Sequence, residues 1–445
     1  MNKRVCVLGA GLVAGPLVRY LLQQPEIDLV LADQDPNKAR ELISGHPRGR
    51  WIQLDIEDGA GLTELISGVD LVVSLLPFSL HLMVAEKCLD QGRDLITASY
   101  VKPEMQALDH DFKKKGLIFL NEMGVDPGLD HMAAMRVIDR VKAGGGEISD
   151  FFSYCGGLPS LASNNVPLGY KFSWSPSGVM LAAKNDGRYL SGGRTVEVPA
   201  EELFQHYWFQ EVPGAGVFEA YVNRDALPYR EIYSIPEAEG IYRGTLRNIG
   251  HCESWDLFRK LGLLEFEPTF DPHLTSPRQV LARLTNSGGK DLSRDLSRFL
   301  GVPEHSVTLK KLEWLGFFRD EPLGLSKGTP FDLFSRLLLD RLGYQPGETD
   351  MIVQHHEFIA RGPEGERKRL TSTLVQEGEA GGESAMSRTV GLPAAIGARL
   401  VLEGRIEAKG VTRPVIPEIY EPVLEELEGL GIAFQERVVD EDEEA

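Results

Sequence analysis

A strand, a glycine turn, a helix, a second strand and an acid follow one another in the first 33 residues, and this order constrains the fold more than any other feature. Val5–Leu8 is a short β-prone run, GAGLVAG starts at Gly9, and Leu17, Val18, Leu21 and Leu22 recur at helical spacing. Ile27–Ala32 is the next β run and ends in Asp33. A lone glycine pattern carries little weight, but between a strand and a helix it has a mechanical reading. Gly9 allows the tight turn, Gly11 lets the backbone approach a pyrophosphate, Gly15 permits close helix–strand packing, and the helix N-terminus faces the negative charge. A carboxylate at Asp33 can accept from the adenosine ribose hydroxyls and repels a 2′-phosphate. Gln34 and Asp35 follow without a cation, so NAD(H) is favoured; Lys38 and Arg40, a helical turn further on, keep NADP(H) open.

Further apolar bursts at Trp51–Leu54, Leu71–Leu75, Leu95–Thr97 and Leu117–Leu120 are separated by helical stretches such as His81–Gln91 and Lys102–Lys115. Strands alternating with helices predict an α/β fold, a Rossmann doubly wound parallel sheet. The rhythm stops after Gly128. Ile148–Cys155 reads as a strand, and a loop with Trp, Tyr and Phe in series follows it, a composition that suits docking rather than linking. Residues 256–344 read as a helical insertion with its own small core. Met351–Ala360 and Leu370–Glu377 read as paired strands. Ser384–Leu402 is so apolar a helix that it must be buried on several sides, returning to the first domain. The expected division is residues 1–128 with 383–430, 129–255 with 345–382, and 256–344.

With 47 Lys and Arg against 66 Asp and Glu, the net charge of -19 argues against nucleic acid and anionic membranes. Cys6, Cys88, Cys155 and Cys252 show no CxxC pair, which points to a reduced, cytoplasmic setting. The opening MNKRVCVLGAGLVAG has the look of a signal peptide, but its glycine pattern supports a buried strand and phosphate turn. No stretch suits a bilayer span, no histidine spacing suggests a metal, and no GxSxG elbow supports acyl-enzyme chemistry. His355 and His356, adjacent on a strand, face opposite sides. Against this acidic background, NRDALPYR (223–230) and YRGTLR (242–247) gather four arginines, which suggests a site for something anionic.

The motifs SLLPFSLH (74–81), ASYVKP (98–103), NEMGVDPGLDH (121–131), SYCGGLP (153–159), PLGYKFSWSPSGV (167–179), NRDALPY, YRGTLRNIG (242–250) and SAMSRTVGLP (384–393) carry a resemblance over almost the whole chain. It resembles the saccharopine reductase family, the glutamate-forming saccharopine dehydrogenases of the α-aminoadipate lysine pathway. The resemblance implies a Rossmann domain, a mixed α/β substrate domain and an all-α insertion. It also implies NAD(P)-linked reduction of the imine of L-glutamate and α-aminoadipate semialdehyde to saccharopine. Saccharopine has three carboxylates, which planar guanidinium forks suit better than Lys.

By the same resemblance, Arg224 and Arg247 are carboxylate clamps, Thr245 and Leu246 line the substrate, and Ser99 and Tyr100 meet cofactor and substrate. Tyr100, Asp126 and Cys155 are the candidates for acid–base or positioning roles. Asp126 also reads as a helix N-cap and Cys155 equally as a packed small hydrophobe. His131 reads as structural, and Lys171 as a substrate or supporting contact. For the cofactor, Gly9, Ala10, Gly11, Leu12 and Val13 hold the pyrophosphate, Asp33 and Gln34 the ribose, and Asp55 and Ile56 flank the adenine. Leu75, Leu76 and Pro77 run under the ribose and nicotinamide. Gly124, Val125 and Asp126 complete this side, and Ser175 joins from the substrate domain, which implies closure. The chain departs from the family at Asp33-Gln34, where members that use NADP carry a basic residue, at Ser177, where Arg is common, and at GHCES (250–254). Carboxynorspermidine dehydrogenase-like enzymes and a non-catalytic NAD-binding regulator are the rival readings. The first would want an acidic pocket rather than Arg224 and Arg247. A homodimer through exposed strands is left open.

Overall fold

The computed structural model describes residues 2–174 and 176–439, which divide into two compact units. One comprises residues 1–149, 231–237 and 354–445; the other comprises 150–230 and 238–353.

In the first unit, β1 (Lys3–Leu8), β2 (Ile27–Asp33), β3 (Gly49–Gln53), β4 (Leu71–Ser74), β5 (Asp94–Thr97) and β6 (Ile118–Leu120) form a parallel sheet. A late strand, Gly410–Thr412, extends it beside β6, giving the order Gly410–Thr412, β6, β5, β4, β1, β2, β3. The order reverses between β1 and β4, so the crevice beyond their C-terminal ends is where such a sheet receives a ligand. The sheet is sandwiched because its strands are apolar on both faces: Val5, Cys6, Val7, Val72, Val73 and Leu95 are all fully buried.

Two expectations are refined here. Lys102–Lys115 is not one helix but two short ones, Pro103–Gln106 and Asp109–Lys114. Gly15 does not serve helix–strand contact, since a Cβ there would meet only the flexible end of Arg19. The close approach is made instead by the return helix Ala385–Leu402, capped by Ser384. A Cβ on its Gly391 would lie 2.8 Å from the Val13 carbonyl oxygen. Burial of this helix on most sides follows from that approach, as its composition requires.

The second sheet is mixed. It contains β7 (Glu147–Pro159), β8 (Gly187–Ser191), β9 (Arg194–Val198), β10 (Tyr207–Val212), β11 (Gly216–Val222), β12 (Gly240–Arg247), β13 (Asp350–Arg361) and β14 (Arg367–Glu377). In the second unit β12 lies between antiparallel β11 and parallel β7. Tyr242, Tyr154 and Leu246 point to one face of these strands, where Tyr242 packs on Trp208 with ring centres 4.5 Å apart. Helices His251–Lys260, Pro277–Leu284, Leu292–Leu300, Val307–Leu315 and Pro330–Arg341 follow. Their buried residues, Leu281, Leu296 and Phe334 among them, join one continuous core with Tyr154, Tyr242 and Leu246. The expected separate helical core is therefore absent: short amphipathic helices bury more surface by sharing a core than by closing a small one.

Candidate functional site

The nucleotide side begins at the glycine turn. Gly9 has φ +103, and a Cβ there would press on the Leu75 carbonyl at 3.3 Å, so the turn needs glycine. A Cβ at Gly11 would meet no protein atom within 4 Å, and Leu12 beside it is 69% exposed. Packing among the described residues therefore does not explain the glycine at position 11. Ala10, Gly11, Leu12 and Val13 form this turn at the end of β1, and Leu75, Leu76 and Pro77 leave the end of neighbouring β4. Asp55 and Ile56 follow β3; the Asp55 carboxylate accepts the Glu57 N–H, and Ile56 packs partly on the core.

Asp33 is placed at the end of β2, but its oxygens are already engaged. Oδ2 accepts the Ala10 N–H at 2.7 Å and Oδ1 the Asp35 N–H at 2.8 Å. The acid thus clamps the glycine turn to β2 while Gln34 stays exposed. Each oxygen retains a lone pair for a hydroxyl, yet a carboxylate whose charge is partly screened by two N–H dipoles repels a phosphate less than a bare one.

At the ends of β5 and β6, Tyr100 Oη donates to Asp126 Oδ1 at 2.8 Å. Asp126 does not cap the following helix. Gly128 occupies the N-cap, at φ +146, and its N–H goes to Asp130 at 2.5 Å. Any Cβ on Gly128 would fall 2.1 Å from the Gly124 carbonyl oxygen, which fixes the Gly124–Val125–Asp126 loop in a tight fold. Ser99 Oγ lies 2.8 Å from His81 Nε2, and the same buried ring meets Ser74 Oγ at 3.0 Å and Thr97 Oγ1 at 3.1 Å. Burial, with the Lys102 charge assisting, lowers His81 to about 4, so it is neutral near pH 7. Sequence reasoning assigned His81 no role beyond opening a helical stretch and closing a motif. It overlooked Glu122, whose carboxylate meets His131 Nε2 at 2.7 Å and Arg413 Nε at 3.0 Å. His131 is structural in this sense, as expected.

The substrate side belongs to the second unit. On the face of β12 opposite the Tyr242 core stand Arg243, Thr245 and Arg247, and register places Cys155 of β7 and Tyr221 of β11 beside Thr245. The Leu246 side chain is buried in the core, leaving its backbone to the polar face; its carbonyl accepts from Arg247 Nη1 at 2.8 Å. Arg247 is 7% exposed. Its guanidinium lies 4.9 Å over the Tyr170 ring, and Nε is buried without a hydrogen-bond partner. Tyr221, Tyr170, Cys155 and Cys252 interact electrostatically with its charge. Among the described residues no carboxylate pairs with it. His251, stacked on Tyr221 and Trp255, is held neutral by burial and by the Arg247 and Lys311 charges.

Arg224 is not next to Arg247. It is exposed, at φ +60 beyond the end of β11, and Glu219 of β11 is the register partner of Arg247. Five strand positions separate the two backbones, on the order of 15 Å. Arg243 instead is buried against Tyr229, donating to its hydroxyl at 2.6 Å. Lys171 is buried in an ion pair with Glu348. Ser175 lies outside the described residues.

Two family models match the chain. The saccharopine dehydrogenase NADP binding domain covers residues 5–120, and the saccharopine dehydrogenase C-terminal domain covers 124–432. The chain belongs to the saccharopine dehydrogenase family. A family relative from Schizosaccharomyces pombe, saccharopine dehydrogenase [NADP(+), L-glutamate-forming], is 35% identical over 98% of this chain and 99% of its own length. The mouse mitochondrial alpha-aminoadipic semialdehyde synthase is 37% identical over 97% of this chain, which spans 47% of that protein. The solved apo saccharopine dehydrogenase (L-Glu forming) of Saccharomyces cerevisiae matches with a TM-score of 0.89 at 33% identity, covering 98% of this chain and 100% of that one. The family's nucleotide domain is described as NADP binding, so the preference for NAD(H) drawn from Asp33 gains no support. The engaged Asp33 oxygens supply a physical reason.

Proposed function

We propose that this chain interconverts saccharopine with L-glutamate and α-aminoadipate semialdehyde, using NADP(H). The observation that carries the reading is Arg247, a buried guanidinium that pairs with no carboxylate among the described residues, in a chain that has 66 acidic residues. Burying an unpaired charge costs several kcal/mol, on the order of 3–5, and a ligand carboxylate would recover it. A polyamine would be repelled there.

Three carboxylates on one long, thin molecule also account for the separation of Arg224 and Arg247: guanidiniums far apart suit opposite ends of such a substrate better than one clamp. Thr245, the Leu246 backbone and the polar face of β12 line the Arg247 end. The glycine turn and Leu75–Pro77 would hold a nicotinamide nucleotide, which would supply hydride chemistry at the methylene carbon joining the amine nitrogen to the aminoadipate chain. In the oxidative direction the amine N–H proton must also leave, and water then adds to the resulting imine. The Tyr100–Asp126 pair can hold that proton: Asp126 Oδ1 accepts while the Tyr100 hydroxyl donates. Cys155, beside Thr245, orients rather than reacts, since no covalent enzyme intermediate is needed when glutamate's own nitrogen forms the imine. For the 2′-phosphate, exposed Lys38 and Arg40 on the helix after β2 are the cations at hand.

The test is saccharopine oxidation by the purified protein with NADP+ and NAD+ offered separately. Turnover with either establishes the reaction, and faster turnover with NADP+ establishes the cofactor. Folded protein that binds NADPH but leaves saccharopine untouched would overturn it.

A further inference from the structure

Glu122 lies between the two segments that supply Tyr100 and Asp126. Its backbone N–H donates to the Ser99 carbonyl at 3.2 Å, and its Oε1 accepts the Val101 N–H at 2.9 Å. One residue therefore grips the chain immediately before and after Tyr100. Its other oxygen meets His131 Nε2 at 2.7 Å, and His131 stands on the helix that opens just beyond Asp126-Pro127-Gly128. His131 Nδ1 in turn meets the Tyr233 hydroxyl at 2.6 Å. Arg413, just past the end of the strand paired with β6, completes the cluster at 3.0 Å from Oε1.

Glu122 holds this position at φ +60, the left-handed region, which an L side chain occupies at a cost. The pairing offsets that cost. Burial alone would raise its pKa, but His131, Arg413 and the Val101 N–H bring it down to about 2, so the carboxylate is charged throughout the physiological range. His81 secures Ser99 from the other side.

We infer that Glu122 is a positioning residue for the Tyr100–Asp126 pair, setting the hydroxyl–carboxylate contact by tying the Tyr100 segment to the helix after Asp126 through His131. The inference rests on the assignment of Tyr100 and Asp126 to proton transfer. Glu122 touches neither substrate nor cofactor and acts only through that pair.

A double-mutant cycle tests it, using Glu122→Gln, Asp126→Asn and the combination in the full chain, with NADPH binding as the check on folding. The isosteric Glu122→Gln is expected to lower kcat about 10- to 100-fold with KM nearly unchanged, since small misplacements remote from the chemistry have effects of that size. It should also move the limb of the kcat pH profile that reports the pair. In the Asp126→Asn background the same change should add almost nothing; an equal fold-loss there would overturn the inference. If Glu122→Gln does not fold, His131→Gln, which cuts the tie and leaves the Val101 contact, takes its place in the cycle. Should the parent protein not turn over saccharopine, the proposed function fails separately. The inference is then read from a crystal structure of Glu122→Gln: a Tyr100 Oη–Asp126 Oδ1 contact preserved at 2.8 Å overturns it, and a broken one sustains it.

Discussion

Glu122 and Arg247 are buried to a similar degree, each in the middle of its own unit, yet their surroundings are opposite. Glu122 receives His131, Arg413 and a backbone N–H, so its charge is answered from three sides. Arg247 has an aromatic ring below it, phenols and thiols around it, and its own neighbour's carbonyl; among the described residues no carboxylate forms an ion pair with it, and its register partner Glu219 accepts the Gly250 and Cys252 N–H groups instead. A compensated buried charge organises the protein around itself. An uncompensated one is held in place for something that arrives later, and removing it should harm function without harming the fold.

The largest expected effect separates the two on that basis. Arg247→Met is expected to lower kcat/KM for saccharopine about 10³-fold, about 4 kcal/mol, the scale of losing one partner of a desolvated charge pair. The melting temperature should stay level or rise, because a stranded charge is replaced by an apolar chain of similar length. Steady-state kinetics and calorimetry on one preparation check both halves. A variant that melts several degrees lower while retaining most of its activity would make Arg247 architectural and erase the contrast.

Acid titration sharpens the other side. Glu122 sits at about 2 in the fold against an ordinary 4.5, so it stabilises fully above 4.5 and this is lost as pH falls towards 2. His81 is depressed to about 4 from 6.5. Between those values the unfolded chain takes a proton that the fold refuses, so its contribution is present above 6.5 and lost as pH falls towards 4. Each window is worth about 3 kcal/mol. Denaturant unfolding at stepped pH should show two successive losses, the upper abolished by His81→Gln and the lower by Glu122→Gln. Arg247→Met should leave both intact. A single loss insensitive to either variant would mean that these groups do not govern acid stability.

Much of the nucleotide unit was legible because its signals are local. The glycine turn, the apolar strands and the acid closing β2 all lie within short windows, and periodicity reads such windows well. What those groups do to one another was not. Asp33 showed as an acid at a strand end, but only the fold reveals that both oxygens face backbone N–H groups. Gly15 was given a helix–strand packing task, whereas the close approach to this helix is made by Gly391 of another helix, hundreds of residues away in sequence. On the substrate side the resemblance singled out Arg247, while its isolation depends on Tyr170 from a distant loop. Glu122 went unnoticed for the same reason: His131 could be seen nearby, but Arg413 could not. The separation of Arg224 from Arg247 follows from the β11–β12 register, which no composition encodes.

Asp33 is an intermediate case between Glu122 and Arg247, because its carboxylate is half answered: two backbone N–H groups, no cation. Its remaining negative charge disfavours a 2′-phosphate, and Lys38 and Arg40 would have to offset it. Both are exposed, so screening limits each contact to about 1 kcal/mol or less. Lys38→Ala combined with Arg40→Ala is therefore expected to lower kcat/KM for NADP+ about five- to tenfold, leaving NAD+ within twofold. The deficit should shrink as ionic strength rises, since exposed charges act through solvent. Parallel assays with both nucleotides at low and high salt decide it. An NADP+ preference untouched by the double variant would mean that the phosphate is met elsewhere. A parent protein faster with NAD+ would mean that Asp33 discriminates against the phosphate despite its two N–H partners, and that two backbone dipoles count for less than the Arg413 guanidinium that answers Glu122.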